Sequence, residues 1–200
     1  MARPREYDEQ EVIAKAVELF QRKGYDATSV RDLLEHTGLS SSSLYAAFGG
    51  KEQLFLSALR AHAEVEQLTL LQQLTAPGGL RNNVHAVFHG LIQLLLEPDN
   101  NSSLTLRAAV ELATSMPPVF DLLSEYIQEL TDMFATLLQD AQDRGEVSSH
   151  FPAADLAHYL LFNAYNLGII ERVGRSREKL ERYAAIALSV LDGPSSGGRQ

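Results

Sequence analysis

Four consecutive serines, Ser40, Ser41, Ser42 and Ser43, follow a Gly38-Leu39 pair, and Tyr45 stands two residues beyond them. Hydroxyls in such a run can donate to phosphate oxygens and reach base edges, and their small size lets the start of a helix approach a groove closely. Other chemistries lack their parts. Cysteine is absent, which excludes a disulfide framework, thiol catalysis, thiol redox sensing and Cys-ligated zinc. The chain has no Gly-rich phosphate loop, no Gly-x-Ser-x-Gly elbow and no paired-carboxylate motif, so neither an enzyme nor a cofactor is expected. His85 and His89 are four apart and could chelate zinc or nickel from one helix face. No carboxylate or cysteine joins them at a familiar spacing, so they read as solvated or core histidines and no metal is expected.

The elements that must position the serines read as helix throughout, and the expected fold class is all-α. Glycine and proline fall mostly between periodic segments, and no strand alternation or repeat stands out. A first helix is predicted over about 8–23, with Val12, Ile13, Ala16, Val17 and Phe20 on one face. A second starts near Thr28-Ser29, where Ser29 and Asp32 have the spacing of a capping box, and runs to about His36. Gly38 supplies a tight turn, Ser40 caps a third helix over 41–48, and Lys51 opens a long fourth helix to about Thr75. Two short helices joined by a glycine turn, the second led by small polar residues, read as a helix-turn-helix. An ordinary helical hairpin has the same outline.

Further helices are predicted over about 79–97, 102–115, 118–143, 153–173 and 176–191. The expected organisation is a three-helix helix-turn-helix head over residues 1–50, a helical body over 51–192, and a disordered tail over 193–200. Charge divides along similar lines. The 200 residues carry a net charge of −9, but residues 1–60 hold eight basic and nine acidic side chains, which leaves −8 on the remainder. A near-neutral head can bind a polyanion if its few cations share a face, and an acidic body disfavours other orientations. No apolar run approaches the roughly 18 residues of a membrane span. The first residues lack the apolar core of a secretion signal, so a soluble cytoplasmic protein without a membrane partner is expected.

The stretch Ala16-Val17-Glu18-Leu19-Phe20, Gly24-Tyr25, Thr28-Ser29-Val30-Arg31-Asp32-Leu33, Gly38-Leu39-Ser40, Ser43-Leu44-Tyr45, Phe48-Gly49, Lys51-Glu52-Gln53-Leu54-Phe55 resembles the TetR family of bacterial transcriptional repressors. The resemblance covers about residues 8–60; beyond that it is architectural. It implies double-stranded DNA as a partner and roles at matching positions. Thr28 and Tyr45 would place hydroxyls on phosphates, Lys51 would contact a phosphate from the start of the fourth helix, and Arg31 would reach a base or phosphate. Ser40, Ser41, Ser42 and Ser43 would form the leading turn of the recognition helix. That helix departs from the family in carrying Ala46 and Ala47 after Tyr45, and it has no Arg, Lys, Asn or Gln. Bidentate base reading, worth ~1–3 kcal/mol per good pair, is therefore missing from it. Sequence choice is expected to lean on Arg31, on groove shape, and on an arm in which Arg3 and Arg5 flank Pro4 and can enter a minor groove. The arm can equally be a frayed end.

The body offers two further expectations. Ala157, Leu161, Ala164 and Gly168, with Ala184, Leu188 and Leu191, form small-residue and leucine stripes that suit the interface of a homodimer. Periodicity alone cannot separate that from core packing. A pocket for a largely apolar or aromatic small-molecule effector is expected among Phe88, Arg107, Glu111, Tyr126, Phe134, Phe162, Tyr165 and Asn166. The reading is a ligand-responsive dimeric repressor on a palindromic operator. The alternative is a helical small-molecule-binding or protein-interaction protein with a weakened DNA-binding head.

Overall fold

Asp8 accepts a hydrogen bond from the Gln10 amide at 2.9 Å and so caps α1, Glu9–Lys23. Glu9 and Glu11 in its first turn and Arg22 and Lys23 in its last complement the helix dipole. The computed structural model describes residues 7–97, 103–174 and 176–192, all helices and their connections. After α1 come α2 (Val30–Thr37), α3 (Ser41–Phe48), α4 (Lys51–Leu74), α5 (Leu80–Leu95), α6 (Leu104–Glu111), α7 (Pro117–Asp143), α8 (Ala153–Val173) and α9 (Arg177–Leu188), with a 3-10 turn over Ser189–Leu191. The all-α expectation holds among the described residues. None of these helices is long and apolar enough to cross a membrane. Arg3, Arg5 and the 193–200 tail lie outside the described residues.

The helices cluster into two compact units that do not follow chain order. One comprises residues up to 66 together with 101–124, the other 67–100 together with 125–200. The first unit holds α1, α2, α3, the first part of α4, α6 and the start of α7. Its core is Phe20, Leu33, Leu44, Leu54, Phe55 and Leu59, all fully buried or nearly so. Phe20 meets Phe55 edge-on at 4.9 Å, and Tyr25 lies 4.8 Å from the same ring. Burying each such side chain stabilises by ~1.5–3 kcal/mol. Gly38, at φ 77° and ψ 8°, adopts the left-handed conformation needed to turn α2 into α3.

In the second unit α8 packs on α9 and α5, and α5 on α9. Val84, Phe88, Ile92, Leu130, Phe134, Leu138, Leu156, Leu160, Leu167 and Leu180 form its interior. The Glu146 carboxylate accepts the Leu80 amide at the start of α5, and Asn83 donates to the carbonyls of Leu74 and Ala76, which fixes the preceding turn.

One helix ends earlier than its sequence predicts. α6 stops at Glu111 instead of about residue 115. The Ala113 amide reaches back to the Ala108 carbonyl, and Met116 precedes Pro117-Pro118. A residue before proline is pushed out of the helical region, so the turn widens and α7 restarts on Pro117.

Candidate nucleic-acid interface

α2 is set by a complete capping box. Ser29 Oγ accepts the Asp32 amide at 3.1 Å, and Asp32 Oδ2 accepts both the amide and the hydroxyl of Ser29. Lys23 Nζ donates to the other Asp32 oxygen at 2.7 Å. The Lys23 bond first, and then the Ser29 bonds, hold the Asp32 carboxyl well below the usual carboxylate range.

α3 is capped by Ser40. Its hydroxyl accepts the Ser43 amide at 3.1 Å and lies 3.0 and 2.8 Å from the hydroxyls of Ser42 and Ser43. The first serine of the run therefore organises the helix start. Ser41 and Ser42 stand exposed beside Tyr45 and Ala46, one stripe along the outer side of the helix, while Leu44 is buried beneath. Tyr45 is 55% exposed, and its ring lies over Gly50, where an added Cβ would come 3.2 Å from Cε1. Lys51 opens α4 with its ammonium 4.2 Å from the centre of the Tyr25 ring, a cation–π contact that holds the charge next to α3 in sequence. Burial, then Glu52 and Asp26, raise the Tyr25 phenol above its ordinary value, so it stays neutral. Arg31 pairs with Glu35 at 2.7 Å, but its side chain is 87% exposed. An exposed i,i+4 pair of this kind holds its partners only weakly.

Thr28, expected at a phosphate, is fully buried, and its hydroxyl donates to the Gly24 carbonyl at 2.6 Å. In this conformation it closes the α1–α2 turn.

The arrangement is a capped helix with a small, hydroxyl-rich outer side, a protruding tyrosine and a lysine nearby. The family model described as bacterial regulatory proteins, tetR family, matches residues 12–58, which span it. YezE of Bacillus subtilis strain 168, an uncharacterized HTH-type transcriptional regulator, is 30% identical over 194 residues, covering 96% of this chain and 100% of its own. The chain belongs to the TetR family. It is thus a transcriptional regulator with a DNA-binding helix-turn-helix. The HTH-type transcriptional repressor ComR of Escherichia coli K12 is 28% identical over 197 residues, 94% of this chain and 90% of ComR. Two solved structures share the fold. The TetR-family regulator CifR, a cysteine mutant complexed with a 26-bp operator duplex, has a TM-score of 0.79 at 24% identity, over 95% of this chain and 100% of its own. Reduced NemR of E. coli has a TM-score of 0.84 at 16% identity, over 93% and 97%.

The remaining expected sites of this TetR-family chain fall as follows. Arg107 and Glu111 belong to the first unit; Phe88, Tyr126, Phe134, Phe162, Tyr165 and Asn166 belong to the second. Phe88, Tyr126 and Phe134 are buried and Tyr165 is half-buried, whereas Phe162 and Asn166 are exposed on α8. Arg107 donates to Glu111 and, through its two terminal nitrogens, to carbonyls at the end of α1. His85 and His89 are exposed, and the described residues contain no group of three or more potential metal ligands.

The stripe expected at a dimer interface lies inside the protomer. Ala157, Leu161, Gly168, Ala184, Leu188 and Leu191 are all buried within one chain, and Ala164 is half-buried. They join α8 to α9 and α5 of the same protomer. The stripe that faces outward is Tyr159, Phe162, Asn166, Ile169 and Val173 on α8, with Tyr183 and Ile186 on α9. Its i, i+3, i+7 spacing was available in the sequence; two apolar stripes on one helix simply do not announce which is inside.

Proposed function

We propose that the protein is a homodimeric repressor that binds a palindromic operator and is released by a largely apolar small molecule. The observation that carries the DNA reading is the exposed Ser41-Ser42-Tyr45-Ala46 stripe on a fully capped α3, adjoining Lys51. Hydroxyls and an ammonium contact phosphates, the alanine methyl packs on thymine methyls, and Arg31 supplies a long donor for sequence choice. ComR, a relative along nearly the whole chain, is named a repressor, which supports the same sign of regulation here. The site of action would be the cytoplasm.

Dimerisation would use the outward stripe of α8 and α9. Exposed phenylalanine, isoleucine and valine at helical spacing on two adjacent helices match an isologous four-helix contact, which places two heads for half-sites ~34–36 Å apart. The effector reading rests on the buried aromatics of the second unit, Phe88, Tyr126 and Phe134, with Tyr165 beside solvent. Arg107 leaves this set because it donates to the end of α1, and Glu111 because it pairs with Arg107, while Phe162 and Asn166 join the proposed interface. Release requires an effector that prefers the conformation unfit for DNA, because equal affinity for both shifts nothing.

A salt titration tests the DNA reading. Duplex affinity should fall linearly in a log–log plot, and Lys51→Ala should flatten the slope by about one unit per protomer. An unchanged slope removes Lys51 from the interface; no duplex binding at low salt removes the reading.

A further inference from the structure

The Arg107 guanidinium spends its donors on the end of another helix. Nη1 donates to the Gln21 carbonyl at 3.1 Å and Nη2 to the Lys23 carbonyl at 3.3 Å. Nε faces both carboxylate oxygens of Glu111, each at 3.1 Å. Gln21 and Lys23 are in the last turn of α1, whose final four carbonyls have no partner within the helix. Phe20 is satisfied by the Gly24 amide, so a fork from α6 supplies what the chain end cannot.

The fit is tight. Gly24 is buried at φ 81°, and a Cβ placed there would come within 2.5 Å of Nη2. The glycine is needed both for its backbone angle and for the space the guanidinium fills. Beyond it the bonded groups continue without a break toward the DNA-binding helices. Thr28 donates to the Gly24 carbonyl, and the Lys23 ammonium holds Asp32, which closes the Ser29 box. Glu111, Arg107, the end of α1 and the start of α2 thus form one polar chain within the first unit.

We infer that Arg107 is a positioning residue for DNA binding. Through the α1 end and the Gly24–Thr28 turn it fixes the angle at which α2, and with it α3, is presented. A planar, permanently charged fork suits this task because it fixes two carbonyls at once, whereas a partly buried ion pair adds little net stability and chiefly specifies geometry. The inference rests on the family's DNA-binding activity and adds a residue outside the helix-turn-helix to the set that determines it.

The test uses the full chain with Arg107→Met, Arg107→Lys and Glu111→Gln. Each is measured on a duplex that the wild type selects from a randomised pool and on a random duplex of equal length. Arg107→Met should weaken the selected duplex about tenfold and the random duplex less than twofold, with the salt slope unchanged. Arg107→Lys should recover part of the loss, and Glu111→Gln should fall between wild type and Arg107→Met. Amide exchange at residues 24–32 of the free protein should accelerate in Arg107→Met. Equal losses on both duplexes, wild-type affinity in Arg107→Met, or unchanged exchange would each overturn the inference. Exchange is read without DNA, so a wild type that selects no duplex counts against the DNA reading alone, and the clamp is still judged by exchange.

Discussion

The same hydroxyl chemistry serves two purposes in the head. Ser29 and Ser40 spend their hydroxyls on capping α2 and α3, while Ser41 and Ser42 line the outer side of α3. Ser29→Ala should therefore cost about 1 kcal/mol, read from urea denaturation at fixed protein concentration, and Ser42→Ala almost nothing. A larger loss in Ser42→Ala would mean that its contact with Ser40 is structural. Both caps were legible in the sequence because they are local, set by residues three apart. Arg107 was not legible: its carbonyl partners are 86 and 84 positions away. Glu66 is another distant meeting. Its carboxylate lies 3.1 Å from His62 Nε2 and accepts the Thr105 hydroxyl at 2.6 Å. Burial pushes it up, but the bonds from His62, Ser103 and Thr105 prevail and hold it below its ordinary value. A carboxyl lowered by folding stabilises the folded state at neutral pH, and that contribution disappears as pH falls through the folded-state value. Thermal unfolding of Glu66→Gln should thus fall below wild type at pH 7 and approach it below about pH 4; a constant gap would contradict this.

Among the helices, those of the head follow their sequence signals closely. α3 spans 41–48 as expected, because Ser40 and Gly49 punctuate it at both ends. α6 ends early because a proline pair two turns on decides the geometry, a signal present in the sequence but acting at a distance from the helix it shortens. α8 forms where the sequence places a helix, and its small-residue face is buried within the protomer. Ala157, Leu161 and Gly168 fill the protomer's own interior, and the larger Tyr159, Phe162, Ile169 and Val173 are left outside. Solvated aromatic and branched side chains in a row are costly unless covered, which argues for the second protomer there. Ile169→Glu together with Ile186→Glu should convert the protein to a single-chain species in sedimentation while leaving its helical content intact. A dimer persisting in that variant would place the interface elsewhere. Leu161→Ala, by contrast, should lower stability by ~2–5 kcal/mol, as for a core leucine.

At the scale of the molecule, charge and composition limit how the protein can work. The absence of cysteine excludes thiol chemistry as a means of response, which is consistent with the proposed release by an effector. Residues 61–200 carry −8 of the net −9, so their overall charge disfavours approach of a duplex to the body. With no long polar residue on α3 other than Tyr45, specificity in the proposed dimer would be assembled from two heads, Arg31, the Arg3–Arg5 arm and groove shape, each contributing modestly. That makes the spacing of the heads, more than any single contact, the determinant of operator choice. Selection from a pool of randomised duplexes by the full-length protein tests this most directly. The expected result is enrichment of an inverted repeat whose half-sites are centred about one helical turn, or a multiple of it, apart. Recovery of an unpaired motif, or no enrichment at all at low salt, would contradict it.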